Sequence, residues 1–233
     1  VRPANRLQAG TKKHLASAKE FTLAIIDARR GMLERNAKGQ VRIACWRCST
    51  NEMQVPHSQH HTHQPQQTFL ASALSAIARL IKTKCVEDAT AKTGVMLMGT
   101  ERHNVYGDFR GLYMLAPLDE PTAGAVLRLQ KFAEDPELLV RETGALGAAD
   151  AALPVDSALW AASHSFSEAK AKAGDHKSVW FFTTDDRPRA DAAAALTRAK
   201  DSWSNGEEIA LWPLQRPGRP AFAADAFWLP LLA

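Results

Sequence analysis

The run Phe21–Ile26 (F-T-L-A-I-I) is apolar at every position but one and ends on Asp27. A strand with no polar face must be covered on both sides, which requires a sheet packed between helices. Ser178–Phe182 (S-V-W-F-F) repeats this pattern and ends at Thr183-Thr184-Asp185-Asp186. Val95–Met98, Leu112–Leu115 and Ile209–Leu214 read as further strands. Helical signals lie between them. Leu70, Leu74, Ile77 and Ile81 share one face of a helix starting near Thr68. Asp119 and Pro121 announce a second helix, with Ala125, Leu127, Leu129 and Phe132 as its apolar positions. A third opens at Asp156 or Ser157 and runs through Leu159, Trp160 and Phe166. An alanine-rich helix is expected over 190–204, and a closing helix over 222–229, ended by Pro230.

Strands separated by helices imply a doubly wound α/β fold: a mainly parallel sheet with helices on both faces. Only the pair near residues 95 and 112 lacks an intervening helix, so it makes one antiparallel edge strand. Trp160, Trp180 and Trp228 lie in apolar runs and read as core. The 233 residues suffice for one large domain, and no apolar run approaches the ~18 residues that suggest a membrane span. Residues 1–20 form a basic arm, with Arg2, Arg6, Lys12, Lys13 and Lys19 against Glu20, and the domain is expected over 21–233. Inside it, about 34–67 is a polar, Gln/His-rich insertion. The opening lacks an apolar signal core, and the chain reads as a piece of a longer polypeptide.

The chemistry-bearing residues are sparse. No G-x-S-x-G, phosphate-binding loop or G-x-G-x-x-G occurs, so hydrolase and nucleotide-enzyme readings lack their motifs. Cys45 and Cys48, with His57 and His61 and the neighbouring His60 and His63, hold the ligand types of structural zinc. Their spacing misses the finger pattern, and the plainer reading is a solvated polar loop. Three cysteines suit a reducing compartment. The formal charge of +4 is compatible with nucleic acid or acidic partners and demands neither. Arg29, Arg30, Arg187 and Arg189 fall at the carboxyl ends of two expected neighbouring strands, the face where open α/β sheets bind ligands. They are candidate contacts for a partner or phosphate, or ordinary arginines paired with Asp185, Asp186 or Asp191.

Five stretches, in this order, resemble the N-terminal von Willebrand A-like domain of the smaller, seventy-kilodalton subunit of the Ku family. They are Phe21–Met32, Phe69–Cys85, Gly94–Phe132 with its G-T-E turn and L-D-E-P, His176–Asp186 (H-K-S-V-W-F-F-T-T-D-D) and Ile209–Phe227. Metal-binding A domains carry D-x-S-x-S after the first strand, a later Thr, and an Asp after the fourth strand. Here that run is Asp27-Ala28-Arg29-Arg30-Gly31, with a cation and a bare glycine at the two serine positions. Two carboxylates, Asp27 with Asp185 or Asp186, around Arg29 favour an ion-pair cluster over a hard-cation site. The expectation is no metal and no cofactor.

The resemblance implies a protein-interaction platform within a nuclear heterodimer. That heterodimer would comprise this subunit and the larger Ku subunit, binding DNA double-strand ends as the full-length complex for non-homologous end joining and telomere maintenance. Implied partners are the larger subunit, DNA ends and end-joining proteins, with no membrane. No enzyme is expected, beyond the accessory abasic-site lyase attributed to the family, for which Lys12, Lys13 and Lys19 would be the amines. The alternative is an A-like ligand- or peptide-binding domain of an unrelated complex without DNA.

Overall fold

The computed structural model describes residues 18–34, 67–106, 109–144, 146–216 and 218–232. Five strands form one sheet: β1 (Glu20–Asp27), β2 (Lys92–Met98), β3 (Leu112–Asp119), β4 (His176–Thr183) and β5 (Glu207–Pro213), in the order β3-β2-β1-β4-β5. All neighbours are parallel except β2 and β3. This is the doubly wound sheet with an antiparallel edge that the pattern of apolar runs implies.

The helices are α1 (Phe69–Glu87), α2 (Ala123–Glu134), α3 (Pro136–Thr143), α4 (Val155–Glu168) and α5 (Ala192–Ser204). One core joins Ala24, Ile26, Val95 and Leu97 to α1, α2 and α3. The other joins Phe21, Leu23, Ile25, Met96, Val179 and Phe181 to α4, α5 and the C-terminal segment. Alternate residues of β1 therefore feed opposite layers, as the two-residue period of a strand requires. β1 sits centrally, paired with β2 on one side and β4 on the other, and each of its fully buried aliphatic chains contributes about 1.5–3 kcal/mol. Among the described residues, no helix is long and apolar enough to cross a membrane.

Several local expectations need correction. The second helix starts at Ala123, not Pro121. β3 continues to Asp119, which pairs with Thr93, and the Thr122 hydroxyl caps the helix by accepting from Ala125 N at 3.2 Å. Leu127 is 59% exposed, and the buried stripe of that helix is Val126, Leu129 and Phe132. The closing helix over 222–229 is instead two 3₁₀ turns, Ala224–Ala226 and Leu229–Leu231. Trp228 is fully buried, whereas Trp160 and Trp180 are only half-buried.

One buried carboxylate lies far from the carboxyl ends of the strands. Glu207, at the start of β5, is 4% exposed and accepts from the Ser163 hydroxyl at 2.6 Å. Burial pushes its pKa upward, against the opposing pull of the Ser163 and Ser202 hydroxyls and the Lys177 charge. The folded chain thus keeps a proton that the unfolded chain releases. Stability is full below the ordinary glutamate range and falls as pH rises through the folded value. Glu207→Gln should flatten that part of the profile, measured by urea denaturation from pH 4 to 8; an unchanged pH slope would count against it.

Candidate functional site

Parallel pairing brings the carboxyl ends of β1, β4 and β5 to one edge, with Ile26 beside Phe182 and Thr183 beside Pro213. Asp27 ends β1 and is 1% exposed. The chain then turns, and the Arg29 side chain, 2% exposed, folds back over Asp27. Arg29 N and Nε both donate to Asp27 Oδ1 at 3.0 Å. Nη2 bridges Asp27 Oδ2 and Asp185 Oδ2 at 2.8 Å each, and Nη1 donates to the Ala151 carbonyl at 2.9 Å. Thr183 Oγ1 donates to Asp27 Oδ2 at 2.9 Å and accepts from Asp185 N at 3.0 Å. Burial alone would discourage charge on Arg29. Its bonds to Asp27 and Asp185 outweigh that cost and raise its pKa above the ordinary value.

Two glycines make room for this side chain. A Cβ on Gly99, whose φ is +85°, would lie 2.7 Å from Arg29 Cγ. One on Gly147 would lie 2.8 Å from the Gly99 carbonyl oxygen, and Gly147 N donates to that oxygen. Arg30 N donates to Gly147 O, closing the link between the loop after β1 and the loop before α4.

The donor set does not fit a divalent cation. Mg²⁺ takes near-octahedral oxygen ligands. Here both oxygens of Asp27 accept from Arg29 and Thr183, and the approaching loop offers Ala151 O, which already accepts from the guanidinium. A side chain at position 31 would collide with Arg216 Nη2, which donates to Thr184 Oγ1 at 3.0 Å.

The four arginines expected on this face do not act as one patch. Arg29 is buried and bonded to Asp27, Asp185 and the Ala151 carbonyl, so it is not a surface contact for partner or phosphate. Arg30, Arg187 and Arg189 are exposed, and Asp185 is the carboxylate that meets Arg29. Arg189 lines a separate cleft of ≈ 910 Å³ with Arg110. Arg216 and Arg219, which sequence reasoning missed, line a cleft of ≈ 340 Å³ with Asp27 and Arg29. Lys19 is exposed where β1 begins, its backbone bonded to Asp175 and His176, an open position unlike the pocket a nucleophilic lysine needs. Lys12, Lys13, Cys45, Cys48, His57 and His61 lie outside the described residues.

Residues 58–227 match the family model of the Ku70/Ku80 N-terminal alpha/beta domain. The chain belongs to this Ku family. The matched span holds α1 through β5, while β1 and Arg29 precede it. This Ku domain is 30% identical over 153 residues to the ATP-dependent DNA helicase II subunit 1 of Phaeosphaeria nodorum, covering 63% of this chain and 23% of that protein. It is 29% identical over 151 residues to the X-ray repair cross-complementing protein 6 of Mus musculus, covering 63% and 24%. With the ATP-dependent DNA helicase ku70 of Dictyostelium discoideum it shares 25% over 174 residues, covering 69% and 19%. The chain thus spans about a quarter or less of the length of these curated relatives. Among solved structures, the manganese-loaded TRAP protein of Plasmodium vivax shares 13% identity at a TM-score of 0.47, over 92% of this chain and 74% of that one.

Proposed function

We propose that this chain is the N-terminal platform of the smaller Ku subunit, in a nuclear heterodimer that holds DNA double-strand ends for end joining and telomere maintenance. The observation that carries this reading is the Ku family match across α1 to β5, joined by a relative named for X-ray repair. In this reading residues 21–233 are an A-like domain whose partners are the larger Ku subunit and end-joining proteins. DNA ends are held by the full-length heterodimer. Arg29 takes the place of the cation that bridges the same loops in metal-binding A domains. The domain itself is a scaffold and not an enzyme; the helicase in the relatives' names belongs to proteins of which the match covers a quarter or less.

Two measurements test this. The full-length subunit that contains this domain, co-expressed with the larger Ku subunit of its own organism, should purify as a stable complex that retards blunt duplex. The 233-residue domain alone should bind duplex weakly, with an affinity that falls steeply between 50 and 200 mM salt, as backbone-only contacts do. Salt-resistant end binding by the chain alone would overturn the division of labour. Recovery of an unrelated complex and no repair protein from nuclease-treated nuclear extract would favour an A-like ligand-binding domain outside DNA repair.

A further inference from the structure

We propose that the cleft beside Arg29 binds an acidic side chain of a partner peptide, seated directly on Arg216 and Arg219 with no intervening metal ion. This rests on the platform reading above and names the chemistry of its partner.

The cleft encloses ≈ 340 Å³ between the loops that follow β1, β4 and β5. Its carboxylates are already occupied. Asp27 accepts from Arg29 and Thr183. Asp185 accepts from Arg29 and from Arg187 N. Asp186 accepts from Ala223 N. Gln215 is tied up too, its amide donating to the carbonyls of Arg216, Arg219 and Pro220 and its oxygen accepting from Phe222 N. What stays open is donor capacity. Arg216 makes one good hydrogen bond, from Nη2 to Thr184, while its buried Nε has no hydrogen-bond acceptor. Arg219, an exposed residue, lines the same cleft. A recess whose inner carboxylates, Asp27 and Asp185, are already bonded to Arg29 while the Arg216 Nε lacks an acceptor favours an anion.

Shape favours a carboxylate on a peptide over a phosphate on DNA. The Arg216 side chain is recessed, 23% exposed, and apolar walls from Leu214, Pro220 and Phe222 flank it. A duplex offers its phosphates on a broad convex surface that does not enter such a recess. A glutamate or aspartate side chain does, and the planar guanidinium fork matches its two oxygens. The arginines after β5 supply positive charge beside the buried Arg29 cluster. Glu34 is the resident competitor: its Oε2 lies 3.5 Å from Arg216 Nε, on a side chain 54% exposed.

The test is fluorescence anisotropy of a fluorescein-labelled hexaglutamate peptide with the full chain, in EDTA and in Mg²⁺. Binding in EDTA is expected. Arg219→Ala and Arg216→Lys should each weaken it by about tenfold, the scale of a lost charge-assisted hydrogen bond. Arg216→Lys keeps the charge and removes the fork, so it separates recognition from bulk electrostatics. Glu34→Gln should tighten binding, and Lys131→Ala on the remote α2 should leave it unchanged. The site is overturned by an absolute need for Mg²⁺, by indifference to both arginine variants, or by an equal loss in Lys131→Ala. Displacement of the peptide by a twelve-base-pair duplex in an Arg216-dependent manner would reassign the cleft to phosphate. Assembly with the larger subunit is scored separately, so the cleft and the platform reading fail independently.

Discussion

Arg29→Ala is expected to cost the fold about 3–5 kcal/mol, the range for removing one partner of a buried ion pair. Asp27 would remain almost wholly enclosed with no countercharge, and Asp185 and the Ala151 carbonyl would each lose a donor. For a domain of this size that is a fall in Tm of roughly 6–20 °C, read by calorimetry or urea denaturation. Arg29→Lys should fall between: the charge survives, but one ammonium cannot meet both Asp27 oxygens, Asp185 and Ala151 together. Asp27→Asn combined with Arg29→Met should cost less than the two single changes added, because the double change removes both buried charges together, whereas each single change leaves the other buried without its main partner. The same geometry predicts that Mg²⁺ gives the unaltered chain no saturable rise in Tm. Such a rise, or a cost for Arg29→Ala below about 1 kcal/mol, the range of an exposed pair, would show that the guanidinium is not the ion that holds these loops.

Segments whose burial is periodic were the legible ones. β1 and β4 could be read because a strand covered on both faces leaves an unbroken apolar run, and α1 because Leu70, Leu74, Ile77 and Ile81 all turn inward. The start of α2 was misplaced because Asp119 before Pro121 has the residue type of a helix cap. Pairing of Asp119 with Thr93 decides it, and pairing is not written in the local sequence. α3 escaped notice because its eight residues are too short for a helical period to emerge, although Asp135 does cap it, accepting from Glu137 N and Leu138 N. The end of the chain misled because the apolar residues over 222–229 suit a helix equally well, whereas the backbone there makes only two short 3₁₀ turns. At the site, Asp27 and Arg29 were legible from strand ends, with Asp185 or Asp186 as the second carboxylate; that it is Asp185 comes from the fold. The Ala151 carbonyl was not legible, since a backbone acceptor has no residue signature. Arg216 was not, since its approach to Gly31 depends on how the loop after β5 crosses the sheet edge.

That irregular C-terminal segment also supports the site. Trp228 is fully buried, packs 5.4 Å from Phe181 and edge-on to Phe227, and donates from Nε1 to the Asp185 carbonyl at 2.9 Å. Trp228→Ala should therefore cost about 3–5 kcal/mol through the cavity alone. Trp228→Phe should recover part of that volume and none of the hydrogen bond. The bond matters because Asp185 is the outer carboxylate on Arg29, held from one side by Thr183 and from the other by this indole. Losing the indole should loosen the turn after β4, seen as faster hydrogen exchange at the Arg187 amide, which donates to Asp185 Oδ1. It should also couple to Arg29: Trp228→Phe with Arg29→Ala should depart from additivity by more than about 0.5 kcal/mol, as neighbours sharing a partner do. Strict additivity, with the Arg187 amide as protected as before, would mean that the segment only fills the core. The rigidity of the Arg29 cluster would then come from β1, β4 and the loop at Ala151 without it.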